Sequence, residues 1–310
     1  MLVFRSPAKI NLSLDILSRR EDGYHELQSV AHCIGLYDVV KFEFLRDEEP
    51  LLQFSCNDES LESDSNLCKR AVREYLNEWA NCGVVSGPHS GSLTWAGVRI
   101  TLQKNIPVGA GLGGGSSNAA AVLRAMLHRY ERSLDEDSLL RVAAKLGADV
   151  PLFLKGGCLM MEGIGDKLTS LPTLEGAVVL IVPDQHASTP AIYRRFDERE
   201  ETTSQSTPSV LESARQKDLK TVARHLGNDL EPAARDLGID VALPALLLKK
   251  HGALGAQMSG SGAASFGLFH DKNAAQSAKE KILSDEDLPK DYCVFIAPLI
   301  SGGVELLSKN

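Results

Sequence analysis

Three kinds of residue in this chain have the types and spacing to do chemistry. The first is the run "PVGAGLGGGSSNAAA", Pro107 to Ala121, where five glycines lead into two serines, an asparagine and three alanines. Glycine costs a folding chain more backbone entropy than any other residue, so five together need a local reason, and close approach of backbone to a ligand is one. The run reads as a turn feeding a helix, with Ser116 and Ser117 as N-cap candidates and Ala119 to Tyr130 as the helix body. Free amides and the dipole at such a start favour an anion, and the upstream glycines let further amides curl around a phosphate. The competing reading is a flexible glycine loop ahead of an alanine-rich packed helix.

The second kind is a set of charged and polar residues in apolar surroundings. In "SPAKINLSLDI" a period of two puts Ile10, Leu12, Leu14 and Ile16 on one face and Lys9, Asn11, Ser13 and Asp15 on the other. The polar face is either a solvated strand surface or a place for a lysine and an asparagine to meet phosphates. Asp149, in "GADVPLFL", reads equally as a turn residue after Gly147 or as a partly buried carboxylate with a task. The third kind is aromatic. "DGYHELQS" sets Tyr24 and His25 directly after a turn, where they serve packing or stack on and hydrogen-bond a planar ring. "MSGSGAA" from Met258 is a second glycine-serine loop, either a hairpin turn or further amides near an anion.

Two familiar phosphate loops are excluded. A Walker loop needs Gly-Lys-Ser/Thr at its end, and Ser116 follows Gly115 directly. Gly109, Gly111 and Gly114 do satisfy the dinucleotide pattern G-x-G-x-x-G, but that unit must return from its helix to a parallel strand. Here Ser133 and Glu136 have capping-box spacing and open a second helical pattern through Leu139, Leu140, Ala143 and Leu146.

The elements that must position these groups begin with strands. Lys9 to Leu17 alternates, Asp22-Gly23 marks a turn, and Ile34 to Phe44 is β-rich. A helix is predicted over Asn66 to Trp79 behind Asp64 and Ser65, then a strand over Val98 to Lys104, then the two helices that end at Gly147 as a C′ glycine. Beyond Gly163 a second unit is predicted. Its strands are Val178 to Val182, Ala256 to Met258, Ser265 to Phe269 and Tyr292 to Ile296; its helices are Ala214 to Leu226, Leu243 to His251 and Ala274 to Leu283. "FDEREETTSQSTPS" from Phe196 reads as a polar surface loop. Runs of strands followed by runs of helices favour an α+β class over a doubly wound sheet.

At 310 residues, with 43% hydrophobic and 24% charged residues, the chain has the length for two modest domains and an ordinary globular composition. A net charge of −8 and a pI near 5.5 give no global field for nucleic acid or anionic lipid, so any phosphate site must be local. The six cysteines form no C-x-x-C pair, which favours reduced, structural thiols. No apolar run approaches the roughly 18 residues of a membrane span, and the first residues carry no signal-like basic region, so a cytoplasmic location is expected.

Taken in order, "PAKINLSL", "DGYH", "PVGAGLGGGSSNAA", "GADVP" and "MSGSGAA" resemble the GHMP kinases, the superfamily of galactokinase, homoserine kinase and mevalonate kinase. The resemblance spans roughly residues 3 to 269. It implies a two-domain α+β fold, with a ribosomal-protein-S5-like domain at residues 1–165 and a ferredoxin-like substrate domain at 166–310. The close succession of "PAKINL" and "RREDGYHELQSV" is similar to the branch that phosphorylates cytidine-diphosphate methylerythritol with ATP and Mg2+. The resemblance implies that Pro107, Val108, Gly109, Ala110, Gly111, Leu112, Gly113, Gly114, Gly115, Ser116 and Ser117 wrap the ATP phosphates. Asn66 and Lys104 would approach its nucleoside. Asp149 would be the catalytic base and Lys9 its companion at the transferring phosphoryl group. Asn11 and Thr189 would hold the polyol hydroxyls, His25 would read the cytosine edge, and Tyr24 and Tyr193 would stack on its two faces. Metal ligands are not assigned, and a monomer and a homodimer both stay open. Homoserine or mevalonate phosphorylation is the nearer alternative, though neither substrate has a base for Tyr24 and His25. A nonenzymatic RNA-binding module is the more distant one, and the acidic charge argues against it.

Overall fold

A computed structural model describes residues 1–45, 52–81, 97–129, 134–186, 188–199 and 204–309. Tyr130, Ser133, most of the 81–91 segment and residues 200–203 lie outside the described residues. The chain opens with a long antiparallel hairpin, β1 (Leu2–Arg19) and β2 (His25–Phe44), turning at Gly23 with φ +85°. Next come β3 (Leu52–Cys56), α1 (Leu67–Asn81), β4 (Val98–Gln103), α2 (Gly114–Arg129), α3 (Glu136–Leu146), α4 (Val150–Lys155), β5 (Cys158–Gly163) and β6 (Lys167–Leu171). The remainder holds β7 (Ala177–Val182), α5 (Thr189–Asp197), α6 (Thr207–Arg215), α7 (Leu219–Arg224), β8 (Gly227–Asn228), α8 (Glu231–Asp236) and α9 (Ala242–Lys250). It ends with β9 (Ala256–Met258), β10 (Ser265–Phe269), α10 (Lys272–Leu283), β11 (Cys293–Pro298) and β12 (Glu305–Lys309).

Two sheets result. The first runs β12-β1-β2-β4-β3, with β5 and β6 continuing from the other half of the long β2 and β8 lying parallel to β1. The second is antiparallel, in the order β11-β7-β10-β9. Helices α1 to α4 cover one face of the first sheet, where Phe4, Phe42, Tyr75, Ile100, Val122, Leu139 and Phe153 form one apolar cluster. On the other face Ile10 and Leu12 join Leu180, Phe266 and Leu268 of the second sheet, so the two sheets share a core. Helices α9 and α10 cover the outer face of the second sheet through Leu247 and Ile282. The α+β architecture is as expected. We propose the division at residue 165 only as one between two helix-covered cores, because 167–171, 227–228 and 305–309 all pair into the first sheet.

Local chemistry moved several helix starts. α2 begins at Gly114, and the Ser117 amide donates to the Gly113 carbonyl (3.0 Å), so Ser116 and Ser117 sit inside the first turn rather than capping it. α1 is capped by Asn66, whose Oδ1 accepts from the Cys68 amide (2.8 Å), rather than by Asp64 or Ser65. α3 is capped by Asp135, which accepts from the Ser138 amide (2.7 Å), with Glu136 and Asp137 in the first turn where the dipole favours them. Gly147 does close α3, but in extended backbone (φ 168°) rather than in the left-handed conformation expected of a C′ glycine. The stretch after Phe196 is not a plain surface loop. Ser206 and Thr207 donate backbone and hydroxyl hydrogen bonds to the buried Asp15 and Ser13 of β1, which anchors the return of the chain.

The described cysteines are all unpaired. Burial pushes the thiols of Cys33, Cys68 and Cys158 up to about 12, so they behave as small apolar side chains.

Candidate active site

The glycine loop is built by contact between two backbones. Gly109, Gly111 and Gly113 have φ of +68°, +74° and +70°, a region that residues with a Cβ rarely adopt. A Cβ at Gly111 would lie 2.1 Å from the Ser259 carbonyl oxygen, because "MSGSGAA" packs directly on the loop. The Ser259 hydroxyl donates to the Gly111 carbonyl (3.1 Å) and the Ala264 amide to the Ala110 carbonyl (3.2 Å). A Cβ at Gly113 would meet the Phe153 ring at 2.8 Å and the Lys9 stem at 3.1 Å, so this glycine permits interior packing rather than opening room for a ligand. The loop is also tied to β1, since the Lys9 amide donates to the Leu112 carbonyl (3.0 Å).

Lys9 is the strand residue that reaches Asp149. Its side chain is 5% exposed, and Nζ stands 3.6 Å from Asp149 Oδ2 and donates to Asn11 Oδ1 (2.5 Å). Asn11 Nδ2 donates to the Ser29 hydroxyl (2.8 Å), which donates to the Ser13 carbonyl (2.5 Å). The polar face of β1 is therefore wholly buried and wired together, not solvated. Asp149 stands just ahead of α4 with its side chain one-third exposed and accepts no capping hydrogen bond from that helix, which leaves carboxylate lone pairs toward the cavity.

Behind the loop lies a second ion pair, and this one is buried. Lys104 Nζ donates to Asp38 Oδ2 (2.5 Å), and Asp38 is fully buried. Asp38 Oδ1 accepts from the amides of Asn105 (2.7 Å) and Ile106 (2.8 Å), and Oδ2 accepts from Asn118 Nδ2 (2.9 Å). One carboxylate thus fixes the entry to the glycine loop, the helix leaving it and the lysine beside it.

At the other end α5 brings Thr189, Tyr193 and Asp197 to one face at a spacing of four. The Thr189 and Ser261 hydroxyls are 2.7 Å apart. The His25 and Tyr193 rings lie 4.9 Å apart at 32°, and His25 Nε2 is 2.6 Å from Asp197 Oδ1. Tyr24 is 63% exposed beside them. Burial, aided by the negative Asp149, pushes the Tyr193 phenol well above its ordinary range and keeps it neutral.

These groups line one cavity of about 1180 Å³. Lys9, Asn11, Tyr24, His25, Asn66, Lys104, the loop from Pro107 to Ser116, Asp149, Thr189 and Tyr193 all reach it. Ser117 does not. Its side chain is fully buried and its hydroxyl has no hydrogen-bond partner among the described residues, because the early helix start turns it inward. Asn66 reaches the wall, but its amide is engaged locally, donating to the Leu61 carbonyl (2.7 Å) as well as capping α1. Asp38, Ser29 and Asp197 were not anticipated. Asp197 falls in the polar run after Phe196, and the period of four from Thr189 was the signal that places it with Tyr193.

The donor set suits a nucleoside triphosphate: the glycine loop, Lys9 and Lys104 bring hydrogen-bond donors and positive charge to the cavity, with Lys104 tied to Asp38 and Lys9 beside Asp149. Among the described residues no three acidic, histidine or cysteine side chains converge on one point, and no helix is long and apolar enough to cross a membrane.

Comparison with known proteins gives the family. The family description "GHMP kinases N terminal domain" matches residues 66–157, and "GHMP kinases C terminal" matches residues 210–286. The chain is 35% identical over 304 residues to a 4-diphosphocytidyl-2-C-methyl-D-erythritol kinase of Clostridioides difficile (strain 630), covering 97% of this chain and 96% of the relative. It is 39% identical to one of Desulfitobacterium hafniense (strain Y51), covering 87% of each. A crystal structure of 4-(cytidine 5'-diphospho)-2C-methyl-D-erythritol kinase superposes with a TM-score of 0.76 at 31% identity, over 97% of this chain and 100% of the other. A homoserine kinase from Cytophaga hutchinsonii reaches the same TM-score at 18% identity, a likeness of fold alone. With both halves of the family description matched and full-length relatives above 30% identity, the chain belongs to the GHMP kinases, in the family of the 4-diphosphocytidyl-2-C-methyl-D-erythritol kinases.

Proposed function

We propose that the cavity transfers the γ-phosphoryl group of ATP to a hydroxyl of 4-diphosphocytidyl-2-C-methyl-D-erythritol. One observation carries this: a single cavity is lined by the glycine loop, by Tyr24, His25 and Tyr193, and by the Lys9–Asp149 pair with its 3.6 Å separation. In this reading amides from Gly109 to Ser116 hold the triphosphate. Asp149 accepts the proton of the substrate hydroxyl as its oxygen bonds to phosphorus and the bond to the β,γ-bridging oxygen breaks. Lys9, held on its other side by Asn11, offsets charge on the transferring group. Thr189 and Ser261 offer hydroxyls to the polyol, and the aromatic end takes the base. Magnesium would enter with the nucleotide and would neutralise phosphate charge; Ser116, the serine of the loop that lines the cavity, would offer it a hydroxyl.

Incubation with ATP, magnesium and, separately, the cytidine-diphosphate polyol, homoserine or mevalonate tests the proposal, with 31P NMR identifying the product. Phosphorylation of the cytidine compound alone is expected. Preference for either of the other two would overturn it.

A further inference from the structure

The imidazole of His25 is held on several sides. Its side chain is 7% exposed, Tyr193 lies against it at 4.9 Å, and Phe196 meets it edge-on at 6.3 Å and 87°. Nε2 is 2.6 Å from Asp197 Oδ1, and the second carboxylate oxygen of Asp197 is 3.4 Å from Arg19 Nη1. Nδ1 has no hydrogen-bond partner among the described residues, although the ring lines the cavity. A carboxylate has only acceptors, so the proton of a neutral imidazole must sit on Nε2, which leaves Nδ1 as an acceptor.

We infer that Asp197 is a positioning residue that sets the His25 tautomer and thereby makes the site select cytosine over uracil. The inference rests on the base-binding role proposed for this end of the cavity. Cytosine carries an exocyclic amino group, which donates to an acceptor Nδ1. Uracil carries a carbonyl oxygen at that position, so two acceptors would face each other with neither satisfied. Asp197 also lines the cavity, but its hydrogen bond is to the His25 ring. It acts through the ring, and Arg19 keeps its second oxygen occupied so that the first stays on Nε2.

Asp197→Asn tests this, because an amide rotated to present its NH2 group draws the proton to Nδ1 and reverses the preference. The kcat/KM for the cytidine-diphosphate polyol divided by that for its uridine counterpart should fall at least about tenfold, the value of one hydrogen bond. The KM for the cytidine substrate should carry the change, with kcat and the KM for ATP held. Asp197→Glu, which keeps the acceptor, should restore part of the ratio. An unchanged ratio in Asp197→Asn would overturn the inference. A second measurement needs no variant and no turnover: 15N-resolved NMR of the wild-type histidines at pH 8 should show His25 protonated at Nε2, and an Nδ1–H tautomer would equally overturn it. If the wild-type protein does not phosphorylate the cytidine compound at all, the proposed function fails first, and that result is separate from either of these.

Discussion

Acidification should weaken this fold through one buried histidine. His32, on β2, is fully buried; its Nδ1 is 2.8 Å from the Cys33 carbonyl and its Nε2 accepts from the Leu174 amide at 3.2 Å. Both contacts require the neutral ring with its proton on Nδ1, because a proton on Nε2 would confront the Leu174 N–H. Burial lowers the His32 pKa from the ordinary 6.5 to about 4. The folded value lies below the unfolded one, so the unfolded chain binds more protons between them. The stability contribution is complete above pH 6.5 and is lost as pH falls toward 4. A shift from 6.5 to about 4, at 1.36 kcal/mol per unit, amounts to about 3 kcal/mol. Other groups also titrate in this window, so the comparison is with His32→Gln, whose amide can donate to Cys33 and accept from Leu174 without titrating. Urea unfolding at intervals from pH 7.5 to 4 should show the wild type losing about 3 kcal/mol more than the variant. Equal slopes would refute the reasoning, as would an NMR titration of His32 in the folded wild type with a midpoint near 6.5.

Tyr24→Ala removes an exposed ring, so the unfolding midpoint should hold while the cytidine substrate binds more weakly by about 1–3 kcal/mol; an equal loss of ATP affinity by calorimetry would contradict the stacking role. Gly111→Ala places a Cβ on the Ser259 carbonyl at a φ of +74°, and should cost roughly 1–3 kcal/mol in urea unfolding together with nucleotide affinity. Unchanged stability there would mean the two loops are not packed backbone to backbone. Asp38→Asn leaves Lys104 buried without its counter-charge, so unfolding should show a loss of about 3–5 kcal/mol, and adding Lys104→Met should recover part of it. A double variant no better than Asp38→Asn alone would sink the ion-pair account.

Much of the site was legible because its parts are local in sequence. The glycine run, Lys9 and Asn11 on the polar face of β1 and the pair after the Asp22-Gly23 turn each announce themselves by residue type at close spacing, and all reach the same cavity. What stayed hidden is long-range. Asp38 looked like one more residue of a β-rich stretch, and only the fold brings Lys104, Asn118 and two loop amides to it. β12 adds to the first sheet from the far end of the chain through pairs such as Leu2 with Lys309, which no local pattern reveals. Ser117 leaves the loop surface for a local reason: the glycines at 114 and 115 accept helical backbone, so the helix starts early and rotates that serine into the core.

Asp149 carries the central claim, and a single-turnover measurement addresses it most directly. With ATP and the cytidine substrate saturating, Asp149→Asn keeps the shape of the side chain and removes the base, so the rate of phosphoryl transfer should fall by roughly 10²- to 10⁴-fold while both ligands still bind. Lys9→Met should also slow the step, and the double variant should be little worse than the poorer single, since the two side chains act as one unit 3.6 Å apart. Asparagine is a good residue for the turn before α4, so if Asp149 merely shapes that turn the variant would transfer phosphate at close to the wild-type rate, and the base would have to lie elsewhere.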